Sequence, residues 1–103
     1  MDFLDIPGAS GARYRYRHST VAELPATAGN VVAVVGASAK RRYLLCGATR
    51  SLNRARPTLE AVLRDNPAAE VFIRLNVARA ARDAEHADIV ASMKPEVELP
   101  DLE

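Results

Sequence analysis

Short apolar runs separated by turn residues predict three β-strands in the middle of the chain. The run Val31–Val35 is uniformly apolar, which is typical of a central strand buried on both faces. Residues 42–46 follow a small-residue turn and predict the antiparallel return strand of a hairpin. Residues 70–76 alternate apolar and other positions, as a strand does. We therefore expect a hairpin and a third strand as the centre of the fold.

Two further segments have the apolar spacing of helices. In residues 51–66 the apolar stripe is formed by Leu52, Leu59, Val62 and Leu63. Pro57 lies within this segment, so we expect either a kink or a short turn followed by a helix with Pro57 in its first turn. Residues 77–93 are rich in alanine and predict a last helix, which Pro95 ends.

The two ends of the chain have weaker patterns. Residues 1–12 are expected to be loose, and the acidic residues 96–103 are expected to fray. Residues 13–18 alternate tyrosine or histidine with arginine, which predicts a short strand at the sheet edge. Its two faces could stack bases and hold phosphates. Alternatively, the tyrosines complete the core of an edge strand and the arginines keep it soluble.

Together these elements predict a small α+β domain with an antiparallel sheet of about three strands, a possible extra N-terminal edge strand and flanking helices. We divide the chain into an N-terminal extension (residues 1–23), a central domain (24–95) and an acidic tail (96–103). The single cysteine, Cys46, excludes an internal disulfide and a cysteine-rich zinc site. The sequence has neither a signal-peptide pattern nor the run of about 20 apolar residues that a membrane span needs. We expect a soluble cytoplasmic protein with no membrane partner.

The charge of the chain is distributed unevenly. Residues 1–59 hold nine Lys/Arg and three Asp/Glu, whereas residues 60–103 hold five and ten. No acid lies between Glu23 and Glu60. A one-sided basic surface is what phosphate backbones select. The candidate nucleic-acid-binding residues are Lys40, Arg41, Arg42, Arg50 and Arg54. A solvated basic face without a ligand is the alternative.

The segment from about residue 24 to residue 95 resembles the GIY-YIG nuclease superfamily. Gly29 stands where the first strand of that family has its glycine, and Leu45-Cys46-Gly47 stands where the second has Tyr-Ile-Gly. Glu85, followed by Lys94-Pro95, resembles the family's glutamate helix and its end. The resemblance implies a divalent-metal-dependent phosphodiesterase. In that family tyrosine hydroxyls and an arginine handle water and phosphate, and the glutamate holds the metal.

The chain departs from the family at the catalytic positions. The two tyrosines are replaced by Val32 and Leu45, and the arginine position is Ala55. Valine and leucine cannot relay a proton, and losing such a group typically costs about 10²–10⁴-fold in rate. The substitutes offered by the sequence are Tyr43 on the second strand, Arg54 and Arg56 beside Ala55, and Glu85 as the ligand of Mg²⁺ or Mn²⁺. A Glu85 on an exposed helix face, solvated or paired with Arg82, is the alternative.

Three functional hypotheses follow, and the sequence leaves open whether the protein is an enzyme. The first is a GIY-YIG-like domain with a degenerate nuclease site, retained for nucleic-acid binding or regulation. The second is a divergent, active Mg²⁺- or Mn²⁺-dependent endonuclease that uses Tyr43, Arg54 or Arg56, and Glu85. The third is a small protein-interaction or inhibitor domain, in which the strand with Tyr14 and Tyr16 adds to the sheet edge of a protein partner.

Overall fold

A computed structural model describes residues 2–102, with residues 100–102 described for their backbone only. The strands are β1 (Phe3–Pro7), β2 (Arg13–Ser19), β3 (Gly29–Val35), β4 (Arg42–Thr49), β5 (Glu70–Leu75) and β6 (Val97–Leu102). The helices are α1 (Arg56–Asp65) and α2 (Arg79–Met93). Short 3₁₀ turns cover Val21–Glu23, Ser38–Lys40 and Leu52–Ala55. Glu103, the last residue of the predicted tail, lies outside the described residues.

The strands form one six-stranded sheet in the order β1-β2-β5-β3-β4-β6. Neighbouring strands run antiparallel except β4 and β6, which are parallel. The prediction of an α+β domain is confirmed. The predicted number of about three strands was too small. The sheet is mixed because the end of the chain, after α2, returns as β6, which runs parallel to β4.

The central elements agree with the sequence pattern. β3 lies between β5 and β4, and its residues Gly29 to Val34 are buried, as expected for a uniformly apolar strand. β3 and β4 form the expected antiparallel hairpin. Pro57 lies in the first turn of α1, where the missing N–H costs no intrahelical bond, and a 3₁₀ turn precedes the helix. Of the two alternatives for this segment, the short turn is the correct one.

The predictions for the two ends of the chain were wrong. Residues 3–7 are ordered as β1, because Leu4 and Ile6 alternate into the core and reach 5% and 0% exposure. β2 is therefore an inner strand between β1 and β5, not an edge. Within the tail, residues 97–102 pair with β4 as β6 instead of fraying. Partly buried Leu99 packs against the core and supplies the apolar contact that holds this acidic segment.

The sheet separates two side-chain clusters, each covered by one helix. On the first face, Leu59 of α1 packs with Val31 and Ile73. On the second face, Ile89 of α2 packs with Val32 and Phe72. Successive residues of β3 and β5 thus supply opposite faces, as the period of two in a strand requires. We refer below to the α1 face and the α2 face.

Candidate functional site

A buried carboxylate lies between α2 and the sheet. Glu85 projects from the buried side of α2 and is 4% exposed. Its Oε2 accepts a hydrogen bond from the Tyr16 hydroxyl at 2.7 Å. Its Oε1 accepts from Arg74 Nε at 3.1 Å and from Asn76 Nδ2 at 3.3 Å. Each carboxylate oxygen therefore has a protein donor, and the charge is neutralised by Arg74.

Two asparagines extend this network to the backbone of α2. Asn76 Nδ2 also donates to Asn30 Oδ1 at 3.2 Å. Asn30 Nδ2 donates in turn to the Arg82 carbonyl oxygen at 3.1 Å, and Asn30 is 1% exposed. A polar side chain buried this deeply must be hydrogen-bonded to be tolerated. The network thus joins β2, β3, β5 and α2 around one carboxylate.

Burial dominates the electrostatics of this network. Burial raises the pKa of Glu85 above its usual value, while the hydrogen bond from Tyr16 and the charge of Arg74 oppose that rise. The pKa of Tyr16 is well above its usual value, first because of burial and then because of the negative charge of Glu85. A tyrosine held this way stays protonated and donates its hydrogen bond throughout the physiological range. Three of the about four lone-pair sites of the Glu85 carboxylate thus accept protein hydrogen bonds, which leaves little of it for a metal.

No contact among the described residues joins the predicted catalytic residues into one site. Tyr43 and Glu85 belong to the α2 face. Arg56 begins α1 on the opposite side of the sheet, where its Nε lies 3.6 Å from the Glu60 carboxylate, one helical turn away. Arg54 is an exposed residue of the 3₁₀ turn that precedes α1. The alternative of a Glu85 on an exposed helix face was wrong, because Glu85 is buried; it forms an ion pair with Arg74.

The five predicted nucleic-acid-binding residues fall into two groups at opposite ends of β4. Lys40, Arg41 and Arg42 lie at its start, and Arg50 and Arg54 follow its end. β4 has eight residues and so spans about 26 Å at about 3.3 Å per residue. Arg42 is also engaged, since its Nη2 lies 2.8 Å from the Glu96 carboxylate. The acid-free stretch of sequence is therefore not one compact basic patch.

A different basic surface lies on β1 and β2, which we call the open face. It is the part of the α1 face that is formed by the exposed residues Phe3, Asp5, Arg13, Arg15 and Arg17. The register pairs Phe3 with Arg17 and Asp5 with Arg15, so these side chains share one face. Phe3 is 53% exposed. The Arg15 guanidinium carbon lies 5.4 Å from the centre of the Phe3 ring. Arg15 also pairs with Asp5, at 2.9 Å.

The remaining arginines of β2 give the open face its net charge. Arg13 and Arg17 are exposed and lie on the same side of the strand as Arg15. Among the described residues, Arg17 has no hydrogen-bond or ion-pair partner. Leu75, 50% exposed, is on the same side at the end of the adjacent strand β5. The sequence alternation of residues 13–18 indicated this surface, but the contribution of Phe3 required β1, which was not predicted.

Comparison of the chain with protein-family models, with curated protein sequences and with solved structures gives no match. No helix in the described part of the chain is long and apolar enough to cross a membrane. Within residues 2–102, no three His, Cys, Asp or Glu side chains form a group that could hold a metal ion. The functional argument therefore rests on the geometry of this molecule.

Proposed function

We propose that the protein is a nucleic-acid-binding module, and that the open face is its binding surface. The observation that carries the proposal is the combination of three arginines on one side of β2 with an exposed aromatic ring on β1. Arg13, Arg15 and Arg17 recur every second residue, about 7 Å apart along the strand. Arg13 and Arg17 suit the phosphates of one strand, while Arg15 is held by Asp5 beside the ring. The exposed ring offers a base a surface on which to stack.

The open face favours single-stranded over double-stranded nucleic acid. Stacking on Phe3 requires an unpaired base, and base–aromatic stacking contributes about 1–3 kcal/mol per base. Arg15 is already oriented over the Phe3 ring, so the ring position is fixed on one side by the cation and by the Asp5 pair. Sequence preference is expected to be weak, because stacking and phosphate contacts tolerate every base.

We further propose that the scaffold descends from a GIY-YIG-like domain whose nuclease site has degenerated. The order of hairpin, helix, strand and helix, with Glu85 on the last helix, supports this ancestry. The loss of the site is supported by Val32 and Leu45 at the tyrosine positions and by the three protein donors on Glu85. Binding or regulation without cleavage is then the retained role. An active Mg²⁺- or Mn²⁺-dependent endonuclease is the competing proposal.

The test is binding of fluorescent 12-nucleotide single strands and duplexes of DNA and RNA across a salt series. The wild type should bind single strands more tightly than duplexes, with affinity falling as salt rises. The double variant R13Q/R17Q leaves the Arg15–Asp5 pair intact and should reduce the salt slope by about 1.4, which is about 0.7 for each lost contact. Phe3→Ala should weaken single-strand binding about tenfold while leaving the slope unchanged.

The matched control is R50Q/R54Q, which removes the same charge from the far end of β4. Binding should survive this change with an unaltered slope. Loss of binding in the control but not in R13Q/R17Q would overturn the open face as the binding surface. The same samples, incubated with Mn²⁺, test cleavage directly, since nicking that Glu85→Gln abolishes would support the endonuclease instead.

A further inference from the structure

A pocket of about 340 Å³ lies at the tip of the β3–β4 hairpin and meets the open face at Asp5. It is bounded by the hairpin turn, the first strand and the last turn of α2. Its lining residues are Asp5, Pro7, Ser38, Ala39, Arg41, Tyr43, Ser92 and Met93. The sheet order places three strands, β2, β5 and β3, between β1 and β4. Because β1 and β4 both contribute to this pocket, the sheet curves around the end of α2.

Arg41 brings one unsatisfied guanidinium N–H group to this pocket. Its Nε is buried and has no hydrogen-bond partner among the described residues. The next residue, Arg42, differs in this respect, because both its Nε and its Nη2 donate to Glu96. A buried donor of a charged group left without an acceptor is costly, and an anion that accepts from it recovers that cost. The guanidinium is planar and can present two N–H groups to one oxyanion.

Two hydroxyl groups line the pocket together with Arg41. Tyr43 is 9% exposed; burial raises the pKa of its phenol, and the neighbouring Arg41 guanidinium opposes that rise. Ser38 has a φ of 53°, a left-handed conformation that is uncommon for a residue other than glycine. The hydrogen bond from the Arg41 amide to the Ser38 carbonyl oxygen, at 3.1 Å, closes this turn. The turn thereby holds Ser38 and Arg41 beside the same pocket.

The one acidic side chain of the pocket is already neutralised. Asp5 accepts from Arg15 Nε at 2.9 Å and from Arg15 Nη2 at 3.3 Å. The Ser92 hydroxyl donates to the Pro7 carbonyl oxygen at 2.6 Å and so closes the opposite wall. The hydrogen-bond donors that remain available in the pocket therefore come from the hairpin turn and β4. Donors suit an anion and not a cation.

We propose that this pocket binds a phosphate group, held by the Arg41 guanidinium and by the hydroxyls of Tyr43 and Ser38. The ligand class is a phosphomonoester or inorganic phosphate, since both present the tetrahedral oxyanion that arginine and hydroxyl donors recognise. The site does not depend on the open face. A phosphomonoester could come from the end of a nucleic-acid strand, whereas inorganic phosphate would come from solution.

The test follows the Arg41 Nε–H signal and the backbone amide signals of residues 38–43 by NMR while inorganic phosphate is added to the full chain. We expect saturable shifts of these signals, and the amide signals report binding in the variants that lack the guanidinium. Arg41→Gln should weaken phosphate binding at least about tenfold, because it removes a charge-assisted donor. Tyr43→Phe should weaken it less, and Arg41→Lys, which keeps the charge without the planar fork, should fall between wild type and Arg41→Gln. The amide spectrum of each variant reports whether the fold is retained.

Arg42→Gln is the matched control and should bind phosphate as the wild type does. A second arm compares one short oligonucleotide with and without a 5′-phosphate. Tighter binding of the phosphorylated than of the unphosphorylated oligonucleotide identifies the strand end as the source. Equal binding of the two, together with a saturable shift by inorganic phosphate, identifies the free ion. No saturable shift up to the millimolar range, or the same shift in Arg41→Gln, would overturn the site without affecting the open-face proposal.

Discussion

The two faces of the sheet are covered by helices that are held in different ways. On the α1 face the contacts are apolar, with Leu52, Ala55 and Leu59 fully buried against the strands. On the α2 face, hydrogen bonds from side chains accompany the apolar cluster along the whole helix. The bonded pairs are Arg82 with Asn30, Glu85 with Tyr16, Asp88 with Tyr14, and Ser92 with Pro7. Helix α1 is therefore held by apolar packing, whereas α2 is held by apolar packing together with side-chain hydrogen bonds at these four positions.

The difference implies that the position of α2 against the sheet is more tightly defined than the position of α1. Apolar burial is not directional, so it stabilises α1 without fixing its rotation or its position along the strands. Hydrogen bonds have narrow ranges of distance and angle, so the series on α2 fixes which helical turn lies over which strand. A single change on the α2 side also leaves a buried polar group without its hydrogen-bond partner, which is a penalty of a different kind from the loss of apolar contact.

The largest loss of stability is expected on the apolar side. Leu59→Ala removes a fully buried side chain from the centre of the α1 contact and should lower the free energy of unfolding by about 3 kcal/mol. Urea denaturation followed by circular dichroism measures this. Leu75→Ala, at a position that is 50% exposed, is the control and should change stability by less than about 0.5 kcal/mol. Equal effects of the two changes would contradict the packing assigned to α1.

The next largest effect is expected at the buried carboxylate. Glu85→Gln keeps the shape but turns one acceptor oxygen into an NH₂ donor that faces a protein donor. Because a buried donor is then left without an acceptor, the change should cost about 2 kcal/mol in the same denaturation experiment.

Glu60→Gln is the matched control for Glu85→Gln. Glu60 also pairs with an arginine, Arg56, but both side chains are about half exposed. Its loss should therefore cost less than about 0.5 kcal/mol. A Glu85→Gln protein as stable as the Glu60→Gln protein would show that the network does not hold α2.

A smaller effect is expected when only the tyrosine donor to Glu85 is removed. Tyr16→Phe should cost about 1 kcal/mol. It should also move the pKa of Glu85 further upward, because the Tyr16 hydrogen bond lowers that pKa. A raised carboxyl pKa means that the contribution of Glu85 to stability is complete below pH 4.5 and is lost as the pH rises through the raised pKa. Carboxyl ¹³C titration by NMR should place this loss at higher pH in the variant; an unchanged titration would contradict the hydrogen bond.

The smallest effect is expected at Asp88, a less deeply buried carboxylate of α2 that accepts a hydrogen bond from Tyr14. Hydrogen bonds from Ser10 and then from Tyr14 lower the pKa of Asp88. The sign is opposite to that of Glu85, because this contribution is present above pH 3.8 and is lost as the pH falls through the lowered pKa. Tyr14→Phe should raise the pKa of Asp88 part of the way back in the same NMR titration. A shift of the Glu85 pKa as large as that of Asp88 would show that the two sites are not separate.

The sequence was sufficient for elements whose pattern is local. The uniform apolar run of β3, the alternation in β5 and the position of Pro57 each specify an element within a few residues. β1 and β6 were missed because the contacts that make them strands are with residues far away in the sequence. FLDIP has two buried positions, Leu4 and Ile6, on either side of an acid, and it ends in a proline. The acidic β6 is a strand because it pairs with β4.

The candidate sites were predictable to a smaller extent. The arginine alternation in β2 was visible in the sequence, but the position of β2 inside the sheet was not. The burial of Glu85 could not be inferred, because its tyrosine partner lies 69 positions earlier in the chain and no local pattern relates the two. The basic run from Lys40 to Arg54 was divided by the length of β4, a consequence of strand geometry that charge counting omits.

The position of β6 has a consequence for solubility. Every residue of β4 from Tyr43 to Thr49 is buried, so without its neighbour this strand would present an apolar edge with unpaired backbone groups. Such an edge is a template on which other chains can add and aggregate. The last described strand covers it with a segment that carries Glu98 and Asp101. A chain shortened before Val97 should therefore form assemblies through that uncovered edge.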